Sequence, residues 1–439
     1  MRKNHIDIVS FGCSKNLIDT ERLIRRLEAK GYTVTADPVD VSGEYVMVNT
    51  CGFIGDAKEE SIDFILAMGE YKAEGKIGNL CVMGCLSERY RNTLQEEIPE
   101  IDRLYGKFDW DGFVDSLPDL KVRTHVAEWE RTLTTPPHTA YVKISEGCNR
   151  FCAFCAIPLI TGRHKSRKIE EILEEVKDLA AGGVKEFNIL AQDLSSYGLD
   201  IYKEHKLAEL IDKMADIEGV KWIRLHYAYP ADFPEDVLDV MARRDNVCKY
   251  IDIALQHISD NMLSRMRRRI NKKDTLNLLD RIHAKVPDIK IRTTLMVGFP
   301  GETEEDFEEL MEFVKEQKFD RMGCFEYSEE EDTFAANNYE DDVPADVKHR
   351  RRDMIMNLQE EISATHNRED IGKRVVLLVD ETETDDPECR SQWDSPGVDQ
   401  TYYLDAGDED VYPGDFVEAI VTGANEFDLF ARLERKINE

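Results

Sequence analysis

The sequence predicts an α/β protein in three parts. These are an N-terminal parallel α/β domain, a central partial or nearly closed β/α barrel, and a small C-terminal antiparallel β-barrel. Three observations predict it. Apolar runs of strand length alternate with helical patterns from the first residues to about residue 325, which argues for parallel sheets. From residue 375 that pattern gives way to short β-branched and aromatic runs between Gly, Pro and Asp turns, which argues for a small all-β module of OB-like size. The 439 residues exceed what one ordinary core holds, and a Thr/Pro-rich stretch at 133–138 offers a boundary. The expected domains are 1–125, 134–366 and 367–439.

In order, residues 5–11 read as a buried strand, 12–16 as a turn and 17–30 as a helix. Leu17, Leu23, Ile24 and Leu27 share one helical face, and Gly31 stops the helix. A strand at 44–49, a helix near 57–72 and a strand at 79–83 repeat the unit, while 97–119 gives no clear element. After the linker, a strand at 140–144 delivers a cysteine-rich loop. A helix at 169–180, a Gly182-Gly183 break and strands at 185–190, 222–226, 250–253, 290–297 and 322–325 continue the series, which 358–366 ends. In a β/α barrel the chemistry belongs at the strand carboxyl ends. Strands at 375–379, 401–404, 416–422 and 429–433 form the last module, and the acidic run Asp380 to Asp386 reads as a solvated loop.

Six of the ten cysteines fall into two sets. Cys148, Cys152 and Cys155 are spaced C-x3-C-x2-C between Gly147 and Pro158. Three thiols this close cannot pair off in disulfides without leaving one over. One zinc ion would want a fourth ligand, which only His164 offers locally. Three thiolates suit a [4Fe-4S] cluster with one iron left open; a zinc loop or a chance grouping in a core is the alternative. Cys13, Cys51 and Cys85 each lie just past a strand's carboxyl end, beside a glycine. Such ends form the ligand crevice of an open parallel sheet. Adjacent strands are about 5 Å apart, so the three can converge on a second cluster; three ordinary buried cysteines are the alternative. Cys81, inside its strand, reads as core, and Cys248, Cys324 and Cys389 as core or surface thiols.

The net charge of −32 repels a nucleic-acid backbone and favours a basic protein partner. From Glu369 onward 20 acidic residues stand against 6 basic ones, whereas a module serving RNA should carry a basic face. The first five residues run straight into a strand rather than a secretory signal, and no apolar run approaches membrane-spanning length. The expectation is a cytoplasmic protein with reduced cysteines, away from membranes and without direct nucleic-acid binding.

The spacing Cys148-Asn149-Arg150-Phe151-Cys152-Ala153-Phe154-Cys155, with the aromatic Phe154 before its last cysteine, resembles the radical S-adenosylmethionine superfamily. Further motifs narrow the resemblance to the methylthiotransferases, which join a second-cluster domain, a radical domain and a terminal TRAM domain. These are Phe11-Gly12-Cys13-Ser14-Lys15-Asn16, Asn49-Thr50-Cys51-Gly52-Phe53-Ile54, Gly84-Cys85-Leu86 and Val297-Gly298-Phe299-Pro300-Gly301-Glu302-Thr303. The first of them, with Ala191-Gln192-Asp193 and Gln392-Trp393-Asp394-Ser395-Pro396 followed by Val398-Asp399, looks like the group that modifies an aspartate of small-subunit ribosomal protein S-twelve. The sibling group modifies a tRNA adenosine and is the alternative. Gln400 stands where much of the group has glycine, which is expected to touch only a turn.

The resemblance implies two [4Fe-4S] clusters, S-adenosylmethionine and a reductant such as a flavodoxin-type protein. The Cys148/Cys152/Cys155 cluster would cleave S-adenosylmethionine to methionine and a 5′-deoxyadenosyl radical, which would take hydrogen from the aspartate β-carbon. The Cys13/Cys51/Cys85 cluster would hold the incoming sulfur, a second S-adenosylmethionine would supply the methyl group, and both clusters would face one cavity. No catalytic side chain is assigned beyond the clusters. Phe154, Glu186 and Gln192 are the candidates for cofactor binding. Glu186, after Gly182-Gly183, resembles the superfamily's strand end that meets the amino group of S-adenosylmethionine, or is a surface glutamate. Gln192 lies where it can line the cavity. Gly298 to Glu302 packs near the adenine or is only a tight turn. Arg224, His226, Tyr227, Gln256 and His257 read as cavity lining at strand ends. Arg265, Arg267, Arg268 and Arg269 form a basic run that reads as a solvated helix face, with a grip on the carboxylate of S-adenosylmethionine or on ribosomal RNA as the alternatives.

Overall fold

The structure, a computed structural model, describes residues 1–437 apart from Ile54, Arg123 and Asp385. Ile54 of the second cysteine motif and Asp385 of the acidic run therefore lie outside the described residues. The chain divides into two units. The first comprises Met1–Thr135, Glu146–Asn149 and Ala156–Arg163; the second comprises Pro136–Ser145, Arg150–Cys155 and everything described from His164 onward.

In the first unit β1 (Arg2–Ser10), α1 (Ser14–Lys30), β2 (Thr33–Ala36), β3 (Gly43–Thr50), α2 (Gly55–Ala73) and β4 (Asn79–Gly84) follow in order. Short elements come next: α3 (Cys85–Arg89), α4 (Arg91–Glu97), β5 (Arg103–Leu104), α5 (Trp110–Ser116) and, further on, α6 (Ile157–Thr161). The sheet is parallel throughout, in the order β2-β1-β3-β4-β5. Strand alternation divides its apolar residues between two layers. Ile6, Ile8 and Met47 pack with Leu23, Leu27 and Phe113 on one face, and Val46, Val48 and Val82 pack with Ile65 and Met68 on the other. α1 ends at Gly31, whose left-handed backbone (φ +99°) returns its N–H to the carbonyls of Leu27 and Glu28.

The second unit holds a six-stranded parallel sheet whose spatial order follows the chain. Its strands are β6 (Thr139–Lys143), β9 (Glu186–Leu190), β10 (Trp222–Ala228), β11 (Val247–Ile253), β12 (Lys290–Val297) and β13 (Arg321–Glu326). Two-residue strands β7 (Ser145–Glu146) and β8 (Lys165–Ser166) precede β9. The first and last strands do not pair, so this is an open, partial β/α barrel. Its helices are α7 (Ile169–Ala181), α8 (Leu207–Ala215), α9 (Asp236–Arg243), α10 (Asp260–Arg265), α11 (Lys272–Lys285), α12 (Glu304–Gln317), α13 (Phe334–Asn338) and the 26-residue α14 (Ala345–Asp370). Ser259 and Asn271 cap α10 and α11, and Thr303 with Asp306 forms a capping box on α12.

The same unit ends in a closed barrel, β14 (Arg374–Glu381), β15 (Glu388–Ser391), β16 (Tyr402–Asp405), β18 (Leu429–Lys436) and β17 (Phe416–Ala424), around Leu377, Val379, Leu404, Val417 and Leu429. It is antiparallel except for β16 and β18, which run parallel. The segment after β15 plugs the amino-terminal foot of the larger barrel. Asp394 takes Arg321 at 2.7 Å, Asp399 accepts from the Tyr250 hydroxyl at 2.8 Å, and the Trp393 indole donates to the Asp288 carbonyl at 3.1 Å. The stretch from Gln392 to Asp399, which carries part of the resemblance, thus joins two barrels. Gln400 does more than shape a turn: it is buried and donates to Asn367 of α14 at 2.8 Å. Among the described residues no helix is long and apolar enough to cross a membrane.

Candidate active site: two sets of cysteines

Cys13, Cys51 and Cys85 follow β1, β3 and β4, which are neighbours in the sheet, so each thiol leaves the same carboxyl edge. Asn16 ties the edge together, donating to the Phe11 carbonyl at 3.2 Å and the Thr50 carbonyl at 3.1 Å. Its side-chain oxygen accepts from Lys107 at 3.3 Å and from the Cys85 thiol at 3.4 Å. Gly12 has φ +93°, and a Cβ there would stand 3.0 Å from the Cys51 Cβ and 3.1 Å from its sulfur.

Cys85 lies near enough to Cys13 and Cys51 to feel their charge. Burial pushes Cys85 up to about 11; nearby Lys107 opposes the rise, and Cys13 and Cys51 add to it. Cys13 is exposed at the surface although atoms crowd its thiol; that crowding opposes ionisation, but Lys15, Lys107 and backbone N–H groups outweigh it and hold the thiol below its usual value. Lys107 is itself buried and paired with Asp19 at 2.9 Å. A fixed cation beside grouped thiols favours the thiolate, the form that ligates metal. Cys81, by contrast, lies in the core and burial pushes it up to about 12. Cys248, Cys324 and Cys389 are also buried. Among the described residues no three His, Cys, Asp or Glu side chains gather on a single metal ion; the cysteines of a four-iron cluster take separate irons and stand apart.

Gly12→Ala is expected to disturb the first set alone. Strain at positive φ costs about 1–2 kcal/mol, and the new methyl crowds Cys51. Iron per chain should fall from about eight to about four while cleavage of S-adenosylmethionine persists, as read by iron analysis and product chromatography.

Cys148 belongs to the first unit, where its N–H donates to the Gly162 carbonyl at 3.2 Å. Gly147 (φ +77°) precedes it, and a Cβ there would lie 2.2 Å from the Arg163 carbonyl oxygen. Cys152 and Cys155 belong to the second unit. Ala153 fixes their turn, donating to the Met266 carbonyl at 3.0 Å and accepting from the Ala335 N–H at 2.7 Å. Phe154 packs edge-on against Phe299 at 6.4 Å between ring centres. Gln192 lies just past the carboxyl end of β9. The next residue, Asp193, pairs with Arg150 at 2.7 Å.

Other candidates are placed differently from expectation. Glu186 opens β9, at the foot of the barrel and at the opposite end from the mouth. It is fully buried, 2.9 Å from Arg224 and 2.7 Å from Arg390. Burial opposes its ionisation, but the two guanidinium groups hold the carboxyl far below its usual range. It is therefore committed to the joint with the C-terminal barrel and corrects the expectation of a cofactor contact. Arg224, the third residue of β10, serves the same joint. His257 is a satisfied core group: its Nδ1 accepts the N–H groups of Ile258 and Ser259, which leaves Nε2–H to donate to Glu302 at 3.1 Å. Glu302 also accepts from the Gly298 N–H and from Arg351, each at 2.6 Å, and so locks the loop after β12.

The arginine run corrects a second expectation. α10 ends at Arg265, and Arg267 and Arg269 beyond it have positive φ. Arg268 is buried, not solvated, and donates to the Cys152 sulfur at 3.2 Å. Its guanidinium and that of Arg150 both lie on the ring of Tyr229, at 4.2 and 4.3 Å. Sequence reading missed Tyr229, Lys107 and Asn16 as well. Arg268 lies beyond α10, fifteen residues past the end of β11, and its sequence neighbourhood marked only a basic run.

Comparison with known proteins identifies the class first. The family model described as the radical SAM superfamily matches residues 142–314. The model for the Uncharacterized protein family UPF0004 matches 5–106, and that for the TRAM domain matches 371–433. Among solved structures, the radical S-adenosylmethionine methyltransferase TsrM from Kitasatospora setae superposes with a TM-score of 0.54 at 15% identity, over 73% of this chain and 72% of that one; this shows the fold alone. The ribosomal protein uS12 methylthiotransferase RimO of Phocaeicola vulgatus is 55% identical over 435 residues, 99% of this chain and 100% of its own length. Its counterparts in Bacteroides thetaiotaomicron (99% of this chain, 100% of its own) and Flavobacterium johnsoniae (98% of each) are 54% and 48% identical. The chain belongs to the RimO family of radical SAM methylthiotransferases.

Proposed function

We propose that this chain transfers a methylthio group to the β-carbon of an aspartate in ribosomal protein uS12. The observation that carries the proposal is the near-complete match to RimO proteins, which spans every part of the chain. Cys148, Cys152 and Cys155 would hold one [4Fe-4S] cluster, and Cys13, Cys51 and Cys85 a second. When bound, the first would supply the electron that cleaves S-adenosylmethionine, and the second would hold the incoming sulfur. The chain's own residues bind and orient. Asn16 and Gly12 keep the first set on one edge, and the contacts of Ala153 hold the turn of Cys152 and Cys155. Phe154 and Gln192 are kept as groups beside S-adenosylmethionine; Glu186 is not.

The substrate reading also follows from charge. The C-terminal barrel is strongly acidic, which repels RNA phosphates and attracts a lysine- and arginine-rich protein. A small reductant such as a flavodoxin-type protein would supply the electron, and the cytoplasm, where ribosomes are made, would be the setting. Reconstituted protein given S-adenosylmethionine, reductant and either uS12 or tRNA tests this. The expected result is 5′-deoxyadenosine with methylthiolated uS12 and unchanged tRNA; modified tRNA with unchanged uS12 would overturn it.

A further inference from the structure

We infer that Arg268 is a positioning residue that sets how readily the cluster bound through Cys152 accepts an electron, by placing a permanent charge and a hydrogen bond on that ligand's sulfur. The inference rests on the reading that Cys148, Cys152 and Cys155 hold a [4Fe-4S] cluster.

Four observations carry it. Arg268 is only 3% exposed, and its Nη1 stands 3.2 Å from the Cys152 sulfur. The side chain is held in place: Nη2 donates to the Ala254 carbonyl, the guanidinium lies 4.2 Å from the centre of the Tyr229 ring, and the Tyr229 hydroxyl donates to the Arg268 carbonyl at 2.6 Å. Its charge is not answered by protein. Arg150, on the same ring, has Asp193 and Asp232, whereas among the described residues no carboxylate pairs with Arg268, and its buried Nε has no hydrogen-bond partner. A buried cation without an anion is costly, and a cluster-ligating Cys152 would supply the negative sulfur beside it.

The sign of the effect follows. An arginine stays protonated throughout the working range. Its charge favours whichever cluster state carries more negative charge, which is the reduced one. Hydrogen bonds to ligating sulfurs act in the same direction. Arg268 therefore raises the cluster's reduction potential and eases the electron's arrival.

The test uses the full chain with Cys13, Cys51 and Cys85 replaced by alanine, so that one cluster remains. Iron content, the electron paramagnetic resonance signal and a redox titration are then compared in this parent, R268Q and R268K. R268Q is expected to keep its iron while its reduced-to-oxidised ratio at a fixed poise falls about tenfold, which is 59 mV for one electron. R268K, which keeps a charge but not the planar fork, should shift less in the same direction. An unchanged midpoint in iron-replete R268Q would overturn the inference. If R268Q does not load, an unchanged midpoint in R268K overturns it equally, and loss of iron from both variants would make the arginine part of the clasp instead. A parent that takes up no iron at all would remove the cluster reading beneath it, a result distinguishable from all of these.

Discussion

Cys152→Ala is expected to abolish reductive cleavage of S-adenosylmethionine and all methylthio transfer, and to hold about four irons where the parent holds about eight. The Arg268 guanidinium already occupies one side of the sulfur, and the Ala153 backbone bonds hold the turn. The remaining irons should sit with Cys13, Cys51 and Cys85, on separate strand ends of the first unit. Anaerobic iron analysis and 5′-deoxyadenosine measurement check both halves. Retained cleavage, or loss of all iron, would place the electron-transfer chemistry elsewhere.

Glu186→Ala should cost about 3–5 kcal/mol in stability, because it leaves the buried Arg224 without its carboxylate and takes one of two from Arg390, which keeps Asp380. Both lie where the C-terminal barrel meets the foot of the larger one, so limited proteolysis should then release the C-terminal barrel first. The pH dependence follows from the depressed carboxyl. A group whose folded value lies below its unfolded value, about 4.3 for glutamate, stabilises above that unfolded value and stops doing so as pH falls through the folded one. The gap between parent and variant should therefore be full at pH 7 and narrow progressively in acid. Urea midpoints at pH 7 and pH 4 measure it, and a gap that widens in acid would contradict the assignment.

Much of the fold was legible because strand and helix periods were clean. The strands at 79–83 and 290–297 match β4 and β12 almost to the residue. β2 and β15 were missed because each has only four residues, and β15 offers a single apolar side chain, Cys389, after an acidic run. Only the tail of α14 was read, since its charged length hides any apolar stripe. The placement of Cys13, Cys51 and Cys85 after neighbouring strands, and of Cys148, Cys152 and Cys155 in one loop, was legible. The side chains that surround them were not. Arg268 looks like its three neighbours in sequence, and only the turn beyond α10 turns it inward to Cys152. Glu186 looked like a cofactor contact because its partner Arg390 is 204 residues away. Likewise the Gln392 to Asp399 motif announced the family, but nothing in it announced that it would plug the barrel's foot.

Mass spectrometry of uS12 from cells with and without this chain tests the central claim most directly. A methylthio group on one aspartate, present only when the chain is present, is the predicted result. Unmodified uS12 in cells that make the chain, beside an altered tRNA nucleoside, would contradict it.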